Sequence, residues 1–230
     1  MCYGYSPNEN CTTILVRTRY PLSDDFFLQK GVYEKLTSIT QFNGITRNKS
    51  ITFQVYSIIL KNYIKPNDEI IHTVDSLLRG YNNRNLIGFH IRVSGKESDF
   101  KESAQFLYRS DLLRFINCSL IDYYKEPVIY VASDSSFAKQ LIVNNTSHRV
   151  VFNNAIAIHT SSEIGKGKAT TGVFGVLVDI LALSRCQQII GTKGSSLTYL
   201  AAAYQGDYPL YITRNTDCYY PMKLTTIIPR

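Results

Sequence analysis

The sequence predicts an α/β protein: a Rossmann-like parallel sheet with helices on both faces, preceded by an incomplete N-terminal α/β portion. Two observations carry that reading. From Leu86 onward, short β-branched apolar runs alternate with longer helical patterns, the signature of a parallel sheet wound with helices. The composition supplies the core such a sheet needs: 44% of the 230 residues are hydrophobic, with 17 Tyr and 11 Phe, and only 19% are charged. A disordered tail and a disulfide miniprotein are thereby excluded.

In chain order, Thr12 to Val16 is a short β-branched run, followed by a polar loop with Pro21. Phe53, Tyr56, Ile59, Leu60 and Tyr63 recur at helical spacing and stop before Lys65-Pro66. Asp68 opens a second amphipathic stretch carrying Ile70, Ile71, Val74, Leu77 and Leu78, which Gly80 ends. Residues 1–85 therefore read as a partial first region with linking helices, and residues 86–230 as the Rossmann-like domain. Its strands are predicted at Leu86–Arg92, Val128–Ala132, Arg149–Phe152, Gln188–Gly191 and Leu210–Thr213, and its helices near 110–124, 134–143, 169–185 and 195–205.

Twenty-five Lys and Arg against 18 Asp and Glu give a formal charge of +7, which suits a phosphate-bearing ligand, a nucleic acid or an acidic surface equally well. The basic residues are scattered, so no nucleic-acid stripe forms and a small phosphorylated ligand is the expectation. Five cysteines, at 2, 11, 118, 186 and 218, are odd in number and form no CxxC pair, which argues against a zinc or redox site. Sequons at Asn10, Asn48, Asn117, Asn144 and Asn145 hint at a secretory lumen, although several would arise by chance in a chain rich in Asn, Ser and Thr. No stretch approaches the ~18 apolar residues of a membrane span, and the opening MCYGYSPNENC lacks a basic-then-apolar signal pattern.

In an open α/β sheet the ligand lies beyond the carboxyl ends of the strands. Those ends here read HIRVSGKESD, ASDSS, FNNAIAIHTSSEIGKGKATTG and GTKGSS, all rich in polar, basic and small residues. His90 and Arg92 alternate with Ile91, so they share a face, and an Arg at a strand terminus can grip a diphosphate bidentately. The structural alternative is a His satisfied within the fold and an Arg paired to a carboxylate such as Asp134. GTKGSS after a strand puts Ser195 and Ser196 at the positive end of a helix, fit for a phosphate or for simple N-capping. Asp134 opens a helix and is either its N-cap or a ligand contact. Asp179 stands alone in the apolar run VFGVLVDILAL, where a carboxylate needs a partner: either two N–H donors of a guanine-type edge or a neighbouring element. The long loop 153–171, with Lys166, Lys168, Thr170 and Thr171, either closes over a ligand or is a mobile surface loop.

Taken together, IGFHIRVSGKESDF, VIYVASDSS and TTGVFGVLVDILALSRCQQIIGTKGSSLTYLAA, in this order and on these elements, resemble the C-terminal donor-binding half of fucosyltransferases of GT-B architecture. That superfamily includes the α1,6-, nodulation and protein O-fucosyltransferases, and the resemblance covers roughly the last two-thirds of the chain. It implies an inverting transfer of fucose from GDP-fucose to a glycan or protein hydroxyl, with no metal or other cofactor, in the Golgi or endoplasmic-reticulum lumen. His90 and Arg92 fall on the HxR motif, where the Arg binds the β-phosphate. Asp179 falls on the Asp that contacts guanine, Ser195 and Ser196 on the serines that hold the diphosphate, and Asp134 on the Asp ending the second strand. Lys96 lies where the α1,6 enzymes carry a Lys after HxR, although Gly95 replaces the Asp they carry before it. Glu97, Asp99 and Glu102 are the candidate general bases, since all three lie on the loop after Arg92. The 85 residues before the first strand are too few for the family's complete acceptor-side domain, so a chain that binds a sugar nucleotide without transferring it is the other expectation.

Overall fold

The computed structural model of the chain describes residues 24–29, 31–81, 85–93, 112, 126–154, 169–192 and 195–212, with backbone alone at 169–172 and 211–212. Residue contacts divide the chain into two units, Met1–Val55 and Tyr56–Arg230. In the first, the described residues form α1 (Asp24–Phe27), α2 (Val32–Thr37), a 3-10 turn at Thr40–Phe42 and the start of α3 (Ile51–Tyr63). Asp24 Oδ1 accepts from Thr52 N at 2.7 Å and from Ser50 Oγ at 3.0 Å, satisfying a first-turn donor of α3 that no helical carbonyl reaches. Ile51, Phe53 and Val55 are buried. The run Thr12 to Val16 lies outside the described residues, and the described residues before Leu86 contain no strand.

In the second unit, α4 (Asp68–Leu77) begins where the sequence predicts. Asn67 accepts from Ile70 N at 2.9 Å, Asp68 and Glu69 sit at the positive helix end, and Gly80 adopts a φ of 83° just beyond its close. The sheet follows, with β1 (Leu86–Ile91), β2 (Val128–Ser133), β3 (Arg149–Phe152), β4 (Gln188–Thr192) and β5 (Leu210–Ile212), all parallel and ordered β3-β2-β1-β4-β5. Three further helices connect them: α5 (Ser136–Asn145), α6 (Ala169–Ser184) and α7 (Ser196–Gln205). All the predicted strands are present. β2 and β4 run one residue further than expected, while β1 stops at Ile91 and leaves Arg92 just beyond it. Of the predicted helix near 110–124, only Leu112 is among the described residues.

Period-two alternation assigns each strand residue to a face. Ile87, Phe89, Ile91 and Val93 join Ile129, Val131, Leu112 and the α5 residues Ala138, Leu141 and Ile142 in one core cluster. Each fully buried aliphatic or aromatic side chain there contributes roughly 1.5–3 kcal/mol. Gly88, His90 and Tyr130 project to the opposite face, under α6 and α7. A Cβ on Gly88 would stand 2.8 Å from Leu183 Cδ2, and one on Gly191 would overlap the Thr198 side chain. These two glycines let the helices lie close against the strands. α4 packs on the outside of α6, where Arg185 pairs with Asp75, and Tyr56 of α3 meets Tyr199 of α7 edge-to-face at 5.8 Å. No helix among the described residues is long and apolar enough to cross a membrane.

The strand order reverses between β1 and β4. The connection from β1 leads to β2 on one side, and that from β4 leads to β5 on the other. In an open α/β sheet, connections that diverge in this way place the ligand crevice at the carboxyl ends of the two strands, here β1 and β4.

Candidate functional site

Arg92 leaves β1 at this switch point. Its backbone N donates to Thr192 Oγ1 at 3.0 Å, and the same hydroxyl donates to His90 O at 3.1 Å. One β4 threonine thus grips both ends of the His-Ile-Arg triplet. Arg92 Nε stands 3.5 Å from Asp134 Oδ2 at the end of β2, each side chain 23% exposed. This is the carboxylate partner that one of the two sequence readings expects, and the pair stays partly exposed just beyond the ends of β1 and β2.

His90, which shares its face with Arg92, is almost fully enclosed. It is 5% exposed, and its Nδ1 shares a hydrogen bond of 2.6 Å with Thr198 Oγ1 in the first turn of α7. Burial, and then the nearby Arg92 charge, lowers its pKa to about 3, so the ring is neutral at physiological pH.

Ser195 occupies the N-cap position of α7 with φ −86° and ψ 125°, yet its hydroxyl caps nothing. It is 4% exposed, and among the described residues its Oγ has no hydrogen-bond partner. An unsatisfied buried hydroxyl costs about 1–3 kcal/mol. At the positive end of a helix, an anionic ligand would satisfy it. Ser195 N donates to Thr192 O at 3.2 Å, so the same threonine joins the α7 terminus to the end of β1. Ser196 is exposed beside it.

The N-capping role that the position of Asp134 suggests falls instead to Ser135, whose Oγ accepts from Ala138 N at 3.2 Å. Because β2 continues through Ser133, the helix starts later than predicted, and Asp134 faces Arg92 instead. Asp179 meets a neighbouring strand: its Oδ1 accepts from Tyr130 OH at 2.6 Å. Burial raises the Asp179 pKa to about 6, opposed by the Tyr130 hydrogen bond and the Lys139 charge. Burial, then the Asp179 charge, pushes the Tyr130 phenol well above its usual range.

Four residues here escape the sequence reading: Thr192, Thr198, Tyr130 and Lys139. Lys139 of α5 is 8% exposed and donates to Asn153 O at 2.8 Å, just past β3. Burial lowers its pKa, while Asp179 and then Asp134 raise it. A signal for it existed: a lysine among Ala138, Leu141 and Ile142 on the buried side of a helix is as conspicuous as Asp179 in its apolar run. Thr198 carries the weaker signal of standing three residues after Ser195, on the same helical face. Lys96, Glu97, Asp99 and Glu102, with Lys166 and Lys168, lie outside the described residues, and the side chains of Thr170 and Thr171 do too.

No family profile and no curated protein matches the chain. Among solved structures, a mutant of FUT1 from Arabidopsis thaliana in complex with GDP is similar at a TM-score of 0.54 and 15% identity, over 86% of this chain and 42% of that one. NodZ α-1,6-fucosyltransferase soaked with GDP-fucose is similar at a TM-score of 0.43 and 22% identity, over 64% of this chain and 45% of that one. POFUT1 in complex with GDP-fucose is similar at 0.46 and 9%, over 81% and 58%. The fold is thus a Rossmann-like α/β fold of the kind found in a fucosyltransferase, as the motifs lead one to expect. The chain spans between 42% and 58% of the length of these structures, less than two thirds of each.

Proposed function

We propose that this chain is the donor-binding portion of a glycosyltransferase, an inverting, metal-independent fucosyltransferase that moves fucose from GDP-fucose to a glycan or protein hydroxyl. One observation carries the reading. At the switch point, Thr192 links Arg92 to the N-terminus of α7, where the buried Ser195 hydroxyl has no partner among the described residues. That combination of a cation, helix N–H groups and an unsatisfied hydroxyl suits a diphosphate.

In this mechanism the acceptor oxygen attacks the fucose anomeric carbon on the face opposite the diphosphate. The bond from that carbon to the β-phosphate oxygen breaks, and GDP leaves with the electron pair. Arg92, with Asp134 orienting its guanidinium, and the α7 terminus with Ser195 and Ser196 offset the charge that develops on GDP. A carboxylate on the loop after Arg92, Glu97 or Asp99 first and Glu102 next, takes the acceptor proton, and Lys96 on that loop joins the donor contacts. Asp179 accepts guanine N–H groups while Tyr130 holds its Oδ1. Residues 86–230 form the sugar-nucleotide domain, and residues 1–85 contribute part of the acceptor-side region and its linking helices. The setting is the Golgi or endoplasmic-reticulum lumen.

A second reading is a GDP-sugar-binding chain without transferase activity, which the same residues at the β1–β4 strand ends would serve. Calorimetric titration of GDP, with UDP as control, into wild type and Arg92→Ala tests the common core of both. Selective GDP binding that collapses in the variant is the expected result, and absence of GDP binding by folded protein overturns both. Turnover of GDP-fucose with acceptor then separates the transferase from the binding chain.

A further inference from the structure

The two threonines that hold the end of β1 do different jobs. Thr192 fixes the backbone of the His-Ile-Arg triplet; Thr198 reaches the imidazole itself, from α7, at 2.6 Å. The contact depends on a glycine, because any Cβ at Gly191 would occupy the space of the Thr198 side chain. With Nδ1 engaged, Nε2 is the ring atom left for another partner. The oxygens of a diphosphate accept hydrogen bonds only, so a bare ring nitrogen facing them would repel, whereas an N–H would bind.

We propose that Thr198 is a positioning residue that donates to His90 Nδ1 and thereby fixes the Nε2–H tautomer, so that the buried ring offers a neutral donor to the oxygens of a nucleoside diphosphate. This rests on the reading of His90 as a donor-site residue. The effect of Thr198 on the ligand passes through His90. The neutral ring agrees with the burial that keeps His90 uncharged at physiological pH.

Long-range proton–nitrogen spectra of the 4 histidines, with His90 assigned by its loss in His90→Gln, read the tautomer in ligand-free protein. Titration of GDP into the same samples reads the binding. Wild type is expected to show a single Nε2–H tautomer. Thr198→Val is expected to mix the tautomers and weaken GDP by about tenfold, the value of one net hydrogen bond. Thr198→Ser, which keeps the hydroxyl, is expected to hold the tautomer and stay within about threefold of wild type. An Nδ1–H or mixed wild-type ring overturns the proposal even if Thr198→Val does not fold, as does a folded Thr198→Val that matches wild type in both readouts. Wild type that binds no GDP overturns the fucosyltransferase reading and the ligand half of this one, while the spectra still decide the Thr198–His90 bond.

Discussion

On the β1–β4 flank of the crevice, polar groups are held by neutral hydroxyls: Thr192 on the backbone of residues 90–92, Thr198 on the His90 ring, and Ser195 left unsatisfied at the α7 terminus. On the β2–β3 flank the groups are charged: Asp134 and Asp179 both act on Lys139, and Tyr130 of β2 donates to Asp179. Arg92 stands between the two. The contrast has a physical logic. A site for a diphosphate gains from donors that are oriented before the ligand arrives, and hydroxyls and helix N–H groups can be fixed without burying charge. A site that selects a base by its N–H edge needs acceptors, and a carboxylate in a half-buried place needs a counter-charge to stay ionised.

The largest effect expected from breaking this arrangement is at its hinge. Arg92→Ala should weaken GDP by about a hundredfold or more and abolish transfer, with an unchanged melting profile because the side chain fills no core space. Unaltered GDP affinity would move the phosphate away from the β1–β4 flank. Next, Asp179→Asn should cost roughly ten- to hundredfold in GDP affinity and erase the preference over UDP, since an amide cannot accept two N–H bonds in the carboxylate manner. In wild type, GDP binding should strengthen as pH rises through about 6, the pKa to which burial raises Asp179, because only the ionised form accepts both bonds. The variant should keep only the pH dependence that the GDP terminal phosphate, which titrates in the same range, contributes, and identical profiles in wild type and variant would return Asp179 to a purely structural partnership with Tyr130.

Gly191→Ala sharpens the neutral flank. The added methyl overlaps Thr198, and overpacking of this kind should lower unfolding stability by about 1–3 kcal/mol in a denaturant titration. The smallest effect is expected on the charged flank. Lys139→Met removes the cation that lowers the Asp179 pKa, so the midpoint of the GDP-binding pH profile should move upward. Affinity well above that midpoint should change by less than about threefold, because Lys139 itself donates to Asn153 O.

The legible part of this molecule was the part governed by local rules. β1 through β5 could be read because strands buried in a parallel sheet are continuous apolar runs, and α4 could be read from Asn67, Asp68 and Gly80. The strand-end rule then pointed to His90, Arg92 and Ser195, and the isolation of a carboxylate in an apolar helical run pointed to Asp179. Apart from Asp134 beside Arg92, the identity of their partners was not legible, because pairing is non-local: Thr198 reaches His90 across 108 residues, and Tyr130 reaches Asp179 across 49. A threonine in a helix or a tyrosine in a strand carries no mark of its partner. The N-cap alternative for Asp134 failed for a smaller reason, a one-residue extension of β2 that handed the cap to Ser135.

The central place of β1 also has a consequence during synthesis. All of its six residues end up buried, but its β4 neighbour leaves the ribosome about a hundred residues later, at translation speeds of roughly 5–20 residues per second. For several seconds the strand LIGFHI therefore has at least one open edge in a crowded cytosol or lumen. A nascent chain with so late a pairing partner is a natural client for chaperones, and their co-expression should raise its soluble yield more than lowered temperature alone.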